Sequence, residues 1–120
     1  MLGDMTLGEL IARLEKEDHG LVLIPGFGDT HSDRGSYCDI AFEPLPEGRA
    51  IGETLASAKL AIGATFQGYK GGDYVMDEHT TVCLGNWGEC GEHVGETMLN
   101  ALIELAKLRR KRKAVKAKAG

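Results

Sequence analysis

The sequence predicts an α+β fold: a small, mainly antiparallel sheet of about four strands, with helices packed on one side and a helix at the C-terminal end. Three stretches, 6–17, 51–62 and 96–108, repeat apolar residues at helical spacing, and short runs of strand length lie between them. A chain of 120 residues can bury one core. We therefore expect a single domain over 1–108 and a mobile basic tail over 109–120.

Local signals predict the first helix and the first strand. Thr6 and Glu9 have the spacing of a capping box, which indicates that a helix begins at this point. Residues 21–25, LVLIP, form a continuous apolar run that a proline closes. Such runs are typical of strands covered on both faces, so we expect this strand at the centre of the sheet.

Glycine and proline divide the middle of the chain. Residues 26–36 combine glycines with short polar side chains and are predicted to form a long loop. Residues 37–44 alternate partly and end at a proline, which indicates a second strand. The helix over 51–62 that follows is predicted to end at Gly63, because glycine is a common helix stop.

Further strand signals precede the last helix. Residues 65–76 interrupt aromatic residues with glycines, which indicates an irregular strand. We predict a hairpin between this segment and 80–84, with the turn at 77–79. Residues 86–95 are again glycine-rich and are predicted to form a loop. Basic residues at the end of the helix over 96–108 complement its dipole.

Charge is divided unevenly along the chain. Residues 1–106 hold all 18 acidic residues and six of the 14 basic ones, a net charge of −12, whereas 107–120 carry +8. An acidic body repels the phosphate backbone of a long nucleic acid, so we expect at most weak, salt-sensitive binding through the tail. A small anion in an enclosed pocket is still compatible with this charge.

The composition also bears on the compartment. No apolar run is as long as a membrane span, and the N-terminus lacks the features of a secretory signal. The three cysteines are too few for a disulfide framework. We expect a cytoplasmic protein with reduced thiols and no membrane contact.

The segment 31–37, HSDRGSY, suits a phosphate-bearing ligand. Its arginine presents fixed donors to an anion, its two serines offer hydroxyls, its glycine lets backbone amides approach, and its tyrosine can stack on a base. The structural alternative is that the arginine pairs with a neighbouring aspartate and the serines cap turns. The candidate ligand-binding residues in this segment are His31, Ser32, Arg34, Gly35 and Tyr37.

The segment 69–74, YKGGDY, is a second candidate half-site. Its lysine can reach a phosphate while the two tyrosine rings flank a base, although a solvent-facing strand with a bulge also explains these residues. The segment lacks the GxxxxGK[ST] frame, and no GxGxxG follows the buried strand, which disfavours nucleotide hydrolases and dinucleotide-binding folds. The candidates are Tyr69, Lys70, Gly71, Gly72 and Tyr74.

Trp87 and Asn86 stand together in the second glycine-rich loop. The tryptophan either packs in the core, which is the commoner role, or reads a purine together with the asparagine amide. We include both residues among the ligand-binding candidates.

Metal and catalytic sites are less well supported. Cys83, Cys90 and His93, with Cys38 as a fourth ligand, would form a zinc set, but structural zinc sites bring their ligands in two close pairs. Small buried hydrophobic positions explain the cysteines in the predicted strands. The sequence contains no nucleophile elbow and no HExxH motif. We therefore predict no catalytic residue, no metal and no cofactor.

HSDRGSY followed by IAFEP, and then GATFQGYKGGDYVMDEHTTVCLGNWGECG, together resemble a group of small phage-encoded proteins. SxRGxY, GxTFxGYKGGxYxM and a following TxVxLxxxG strand mark this group, and the match covers about residues 20–92. The group is identified with viral nucleotide sponges. These are small oligomeric proteins that sequester the cyclic-nucleotide signals of bacterial anti-phage systems such as CBASS without degrading them.

The resemblance selects the same two segments as the chemistry. Asp33 stands where the group favours an aromatic residue, and Cys38 stands in place of a second tyrosine. Either departure weakens stacking or alters the choice of ligand. The positions that match the group's motifs are Ser32, Arg34, Gly35, Tyr37, Phe66, Tyr69, Lys70, Gly71, Gly72, Tyr74 and Met76.

Together, the residues and the resemblance predict a phage immune-evasion protein that is not an enzyme. It binds and sequesters a cyclic di- or oligonucleotide, as a homodimer or a larger symmetric oligomer. Two alternatives stay open. One is a small nucleotide-processing enzyme in which a histidine, or Asp77 with Glu78, works with a metal, and the other is an interaction module that binds a host protein.

Overall fold

The computed structural model describes four stretches of the chain, 5–32, 39–67, 72–86 and 91–119, and for Ser32 and 114–119 it describes the backbone alone. Within them it confirms the predicted α+β class, with three helices, one of them C-terminal, and mostly antiparallel sheets. The elements are α1 (Leu7–Glu15), β1 (Val22–Leu23), β2 (Gly26–Ser32), β3 (Ile40–Leu45), β4 (Arg49–Ala50), α2 (Ile51–Ala61), β5 (Thr65–Gln67), β6 (Asp73–Val75), β7 (Val82–Leu84), β8 (Glu92–His93) and α3 (Glu96–Ala119).

The described strands form three sheets. The largest has the order β2-β3-β7-β8, and two-stranded sheets form from β1 with β4 and from β5 with β6. β3 and β7 run parallel, and the other strand pairs among the described residues are antiparallel. β3 and β7 therefore lie at the centre of the main sheet, and β8 lies at its edge.

The predicted capping box is confirmed at the start of α1. The Thr6 hydroxyl accepts a hydrogen bond from the Glu9 amide at 3.2 Å, and the Glu9 carboxylate accepts one from the Thr6 amide at 3.0 Å. Leu7, Leu10 and Leu14 are buried along one side of the helix. The helix begins where the sequence predicts and buries the predicted apolar stripe.

The prediction for LVLIP at 21–25 is wrong in length and position. β1 covers two of these residues and pairs with β4, outside the main sheet. Leu21 and Leu23 are buried, but Val22 is 42% exposed, so only one face of this segment is covered. Pro25 has no N–H to donate to a ladder, which explains why the strand does not continue.

The long loop predicted over 26–36 is wrong in its first part, which forms β2. The glycines that indicated a loop are instead places where neighbouring strands come close. A Cβ added at Gly26 would lie 2.5 Å from the Arg49 amide nitrogen, and one at Gly28 would lie 2.9 Å from the Glu43 carbonyl oxygen. These glycines are required by close backbone approach within a sheet.

The hairpin predicted between 65–76 and 80–84 is also wrong. β5 and β6 pair with each other inside 65–76, whereas β7 pairs with β3 in parallel, Val82 opposite Ile40. Both of these side chains are fully buried, which favours a central place for β7 in the main sheet. β8 lies within the segment predicted as a loop over 86–95.

The last two helices follow the predicted apolar spacing, with one difference in length. α2 ends at Ala61, and Gly63 has a φ of +80°, in the left-handed region that favours glycine. α3 continues past the predicted end at Leu108 to Ala119, so the backbone of the basic tail is helical. The mobility of the tail stays a prediction. None of the helices in the described stretches is both long and apolar enough to span a bilayer.

The two faces of the main sheet differ in composition. Ile40, Phe42 and Val82 belong to the hydrophobic core that the helices cover. Because side chains alternate along a strand, Ala41 and Cys83 point the other way, and both are fully buried. We call the first side the apolar face. We call the other side the polar face and define it by His31, Asp39, Ala41, Cys83 and His93.

Candidate functional site

The predicted ligand-binding residues fall into two groups. Those in the described stretches are His31, Ser32, Gly72, Tyr74 and Asn86. Those outside the described residues are Arg34, Gly35, Tyr37, Tyr69, Lys70, Gly71 and Trp87, and their role in binding stays a prediction.

His31 connects two of the predicted segments. It lies on β2, opposite Ala41 of β3. His31 Nε2 is 2.8 Å from the carbonyl oxygen of Gly85. A carbonyl can only accept, so Nε2 carries the proton in this contact. Gly85 directly precedes Asn86, so His31 lies beside the residue that leads into Asn86.

Tyr74 has a structural role as well as a candidate binding role. It lies on β6 opposite Phe66, and both half-buried rings pack against the hydrophobic core. A Cβ added at Gly72 would lie 3.4 Å from the Tyr74 ring. The ring also lines a shallow pocket of about 260 Å³, together with Val75, Asp77, His79 and Thr80. Only part of this ring is accessible to a base.

Three chemically distinct side chains from adjacent strands meet on the polar face. Asp39 precedes β3, Cys83 lies on β7, and His93 lies on β8. His93 Nε2 is 3.1 Å from Asp39 Oδ2, and Cys83 Sγ is 4.0 Å from the same oxygen. All three polar atoms lie within 4.8 Å of one another. The Cys83 side chain is buried, whereas His93 is 46% exposed, so the cluster opens to solvent beside the imidazole.

Sequence spacing found only part of this cluster. Cys83 and His93 belonged to the zinc set that we considered, and they are direct cross-strand partners. Asp39 was missed because it approaches them through the parallel pairing of β3 with β7, which no local spacing encodes. The other members of that set, Cys38 and Cys90, lie outside the described residues.

Asp77 and Glu78, the acidic pair of the alternative enzyme hypothesis, lie at a turn. The Asp77 carboxylate accepts a hydrogen bond from the His79 amide at 2.8 Å, and the Thr80 hydroxyl accepts one from the Asp77 amide at 2.9 Å. Glu78 and His79 are exposed and lie 3.5 Å apart. In the part of the chain that the structure describes, this turn contains no group of three metal-ligating side chains. Its geometry supports a structural role for Asp77.

A basic groove of about 410 Å³ lies between α3 and the segment around β1. Its lining is apolar at Leu21, Val22, Ile24 and Ala106, and basic at Arg109, Arg110 and Lys113. Arg110 Nη1 donates to Asp18 Oδ2 at 2.7 Å. The beginning of the predicted tail therefore contacts the body of the protein.

Two carboxyl groups next to α3 have lowered pKa values. Hydrogen bonds from Arg13 and then Lys107 hold the pKa of Glu17 below its ordinary value. The backbone N–H of Gly20, and then Arg110, lower the pKa of Asp18. In both cases the cause is donation to the charged carboxylate. These contacts fasten α3 to the end of α1.

The described part of the site is thus a sheet face that carries two histidines, a carboxylate and a thiol. His31 adjoins the segment that contains Asn86, and Asp39, Cys83 and His93 meet at the other side of the face. Comparison of the chain with protein-family models, with curated proteins and with solved structures gives no match.

Proposed function

We propose that the protein binds a cyclic di- or oligonucleotide and sequesters it without hydrolysis. The observation that carries the proposal is the hydrogen bond between His31 and the Gly85 carbonyl, which joins residues 54 positions apart in sequence. It holds His31 beside the residue that precedes Asn86, and both His31 and Asn86 are candidate ligand-binding residues. One ligand at this junction can contact both of them.

In the proposed complex, cations hold the phosphates and aromatic rings stack on the bases. Guanidinium and ammonium groups form charge-assisted hydrogen bonds with phosphate oxygens, and every base offers a face for stacking. Arg34 and Lys70 are the phosphate-binding residues of the proposal. The stacking residues are chosen from Tyr37, Tyr69, Tyr74 and Trp87.

The charge of the chain supports a small ligand. Residues 1–106 carry a net charge of −12, which opposes the approach of a long polyanion. A local pair of cations can still hold two or three phosphates, and we call Arg34 and Lys70 the phosphate clamp. The resemblance to phage nucleotide sponges supports the biological role, which is removal of an immune signal. With this role the protein acts in the cytoplasm of the host cell.

Sequestration needs affinity and abundance but no catalyst. The free fraction of a ligand is about Kd divided by the concentration of free protein. A Kd of about 10 nM with about 1 μM free protein therefore leaves about 1% of the signal unbound. The protein has to outnumber its ligand, whereas an enzyme does not.

The proposal includes an oligomer. A domain of this size has few ways to enclose two or more nucleotides, so we expect a homodimer or a larger symmetric oligomer with pockets at or near the interface. Light scattering measures this directly. A strict monomer of about 12.9 kDa at micromolar concentration would contradict the assembly.

Capture and release tests the function. The purified protein is incubated with cyclic di-AMP, cyclic di-GMP, cyclic GMP–AMP and cyclic tri-AMP, and the supernatant is assayed before and after heat denaturation. We expect depletion of one or more ligands and their intact return. Chemically altered ligand would identify the nucleotide-processing enzyme instead. No depletion of any ligand would contradict nucleotide binding and favour the interaction module.

Two substitutions locate the phosphate contacts. Arg34→Ala and Lys70→Ala are each expected to cost on the order of 2 kcal/mol of binding free energy, about a thirtyfold loss of affinity for the depleted ligand. Lys59→Ala is the matched control, because Lys59 is an exposed cation on α2 that pairs with Glu15. Unchanged affinity by calorimetry in both Arg34→Ala and Lys70→Ala would contradict the proposed phosphate contacts.

A further inference from the structure

The cluster on the polar face has the composition of a metal site. We propose that Asp39, Cys83 and His93 bind one Zn²⁺ ion and that this ion fastens β8 to the main sheet. The proposal is independent of nucleotide binding, because none of these three residues belongs to the predicted clamp. It shares Cys83 and His93 with the zinc set suggested by sequence spacing, and has Asp39 in place of Cys38 and Cys90.

The ligand types favour zinc over harder cations. Carboxylate oxygen, thiolate sulfur and imidazole nitrogen are the three kinds of side-chain ligand that zinc uses. Ca²⁺ and Mg²⁺ take oxygen ligands, so a buried sulfur at the centre of the cluster selects against them. Cys83 supplies that sulfur, and it is fully buried.

The distances are compatible with a shared ion. With zinc–ligand bonds of about 2.0 to 2.3 Å, two atoms on one tetrahedral zinc ion lie about 3.3 to 3.6 Å apart. In the structure, Asp39 Oδ2 lies 3.1 Å from His93 Nε2 and 4.0 Å from Cys83 Sγ. One separation is slightly shorter than the tetrahedral value and the other is slightly longer. The half-exposed imidazole of His93 has the freedom to adjust the shorter separation, and rotation of the Asp39 carboxylate adjusts the longer one.

Charge and protons balance at this site. Binding forms a bond from zinc to Cys83 Sγ, and the thiol proton leaves to solvent. His93 binds through Nε2, so the proton that Nε2 donates to the Asp39 carboxylate leaves to solvent and Nδ1 takes one up, which keeps the ring neutral, while the carboxylate replaces that hydrogen bond with a bond to the ion. The carboxylate and the thiolate together neutralise the two positive charges of the ion. Water from the exposed side completes the four-coordinate shell.

The position of the cluster indicates what the ion does. Its ligands come from three adjacent strands of the main sheet, and β8, at the edge, contains only Glu92 and His93. Such a short edge strand has few backbone hydrogen bonds to keep it in place. An ion that binds the native arrangement stabilises it in proportion to its affinity. Zinc therefore acts as a clamp on the sheet edge.

Cobalt substitution tests the assignment on the full chain under reducing conditions. Titration with Co²⁺ is expected to produce a thiolate-to-cobalt absorption band in the near ultraviolet with one ion per chain, and added Zn²⁺ is expected to remove it. Absence of this band in the wild-type protein would overturn the proposal. Zn²⁺ alone is expected to raise the Tm by at least about 5 °C.

Variants identify the ligands. His93→Gln and Cys83→Ser are expected to weaken Co²⁺ binding at least tenfold and to remove the Tm increase. His79→Gln is the matched control, because His79 also lies beside a carboxylate but belongs to no three-ligand cluster among the described residues. It is expected to bind as the wild type does. If Cys83→Ser does not fold, His93→Gln still decides the matter, since its imidazole is half-exposed. Wild-type cobalt binding in His93→Gln would overturn the proposal.

Discussion

The two faces of the main sheet are built from the same strands but carry different kinds of side chain. On the apolar face, Ile40, Phe42 and Val82 are fully buried in a core shared with the helices. On the polar face, the neighbouring positions carry Ala41 and Cys83, which are just as buried. Burial alone therefore does not distinguish a core position from a functional one. The chemistry of the neighbouring side chains does.

The difference shows how a small domain can combine a stable core with a surface of reactive side chains. Residues on adjacent positions of β3 point to opposite sides, so one strand contributes to both. The apolar face supplies the hydrophobic free energy that fixes the sheet. The polar face is then free to place histidines, a carboxylate and a thiol in fixed relative positions. Substitutions can separate these two roles.

The largest effect is expected on the apolar face. Phe42 is fully buried, and its ring centroid is 5.6 Å from that of Phe27, so Phe42→Ala should lower the free energy of unfolding by about 3 to 5 kcal/mol. His93→Gln, on the polar face, should cost less than about 1 kcal/mol in zinc-free protein. Urea denaturation measures both. Equal losses in the two variants would contradict the division between the faces.

A smaller effect is expected where β2 approaches its neighbours. Gly28→Ala would place a Cβ 2.9 Å from the Glu43 carbonyl oxygen, and relief requires a backbone shift that costs about 1 to 3 kcal/mol. Gly20→Ala is the control, because its Cβ would meet only a side-chain oxygen, that of Asp18, at 3.4 Å. Thermal unfolding compares the variants. If Gly28→Ala were as stable as Gly20→Ala, close strand approach would not explain the glycine.

A pH-dependent effect is expected at the contact between α1 and α3, which lies on neither face. Because the pKa of Glu17 is lowered in the folded state, its charged form contributes stability above the ordinary value of 4.5. That contribution is lost as the pH falls through the folded pKa. The stability difference between wild type and Glu17→Gln should therefore shrink on acidification. Glu104→Gln, which changes an exposed carboxylate, is the control, and a difference that grows below pH 4.5 would contradict the sign.

The smallest effect on ligand binding is expected from the basic tail. Deletion of 109–120 removes the pair between Arg110 and Asp18 and part of the groove wall, but none of the proposed clamp. Affinity for the depleted cyclic nucleotide should stay within about threefold, roughly 0.7 kcal/mol. A calorimetric titration in which the truncated protein no longer bound would show that the tail lines the site.

Sequence patterns predicted the helices better than the strands, for a physical reason. Helix signals are local: the capping box at Thr6 and Glu9 lies within one turn, and both its hydrogen bonds form. Strand pairing depends on distant partners. Gly28 lies in a composition that predicts a loop although it makes room for β3, and the pattern around Cys83 predicts a hairpin although its strand pairs with β3 in parallel.

The same contrast between local signals and distant partners applies to the candidate site. Residue chemistry selects His31 and Asn86 separately, and the structure adds that His31 contacts the carbonyl of Gly85, the residue before Asn86. The approach of Asp39 to Cys83 was not predictable, because it follows from strand order in the main sheet. Local composition therefore identifies the reactive side chains, but only the tertiary structure shows which of them lie together.

His31 provides the most direct test of the claim that the cyclic nucleotide binds where His31 lies beside the residue before Asn86. The measurement is a calorimetric titration of the depleted cyclic nucleotide into His31→Ala and into His19→Ala, whose histidine is exposed between α1 and β1. We predict that His31→Ala weakens binding at least tenfold, about 1.4 kcal/mol, and that His19→Ala binds as the wild type does. Wild-type affinity in His31→Ala would contradict the account.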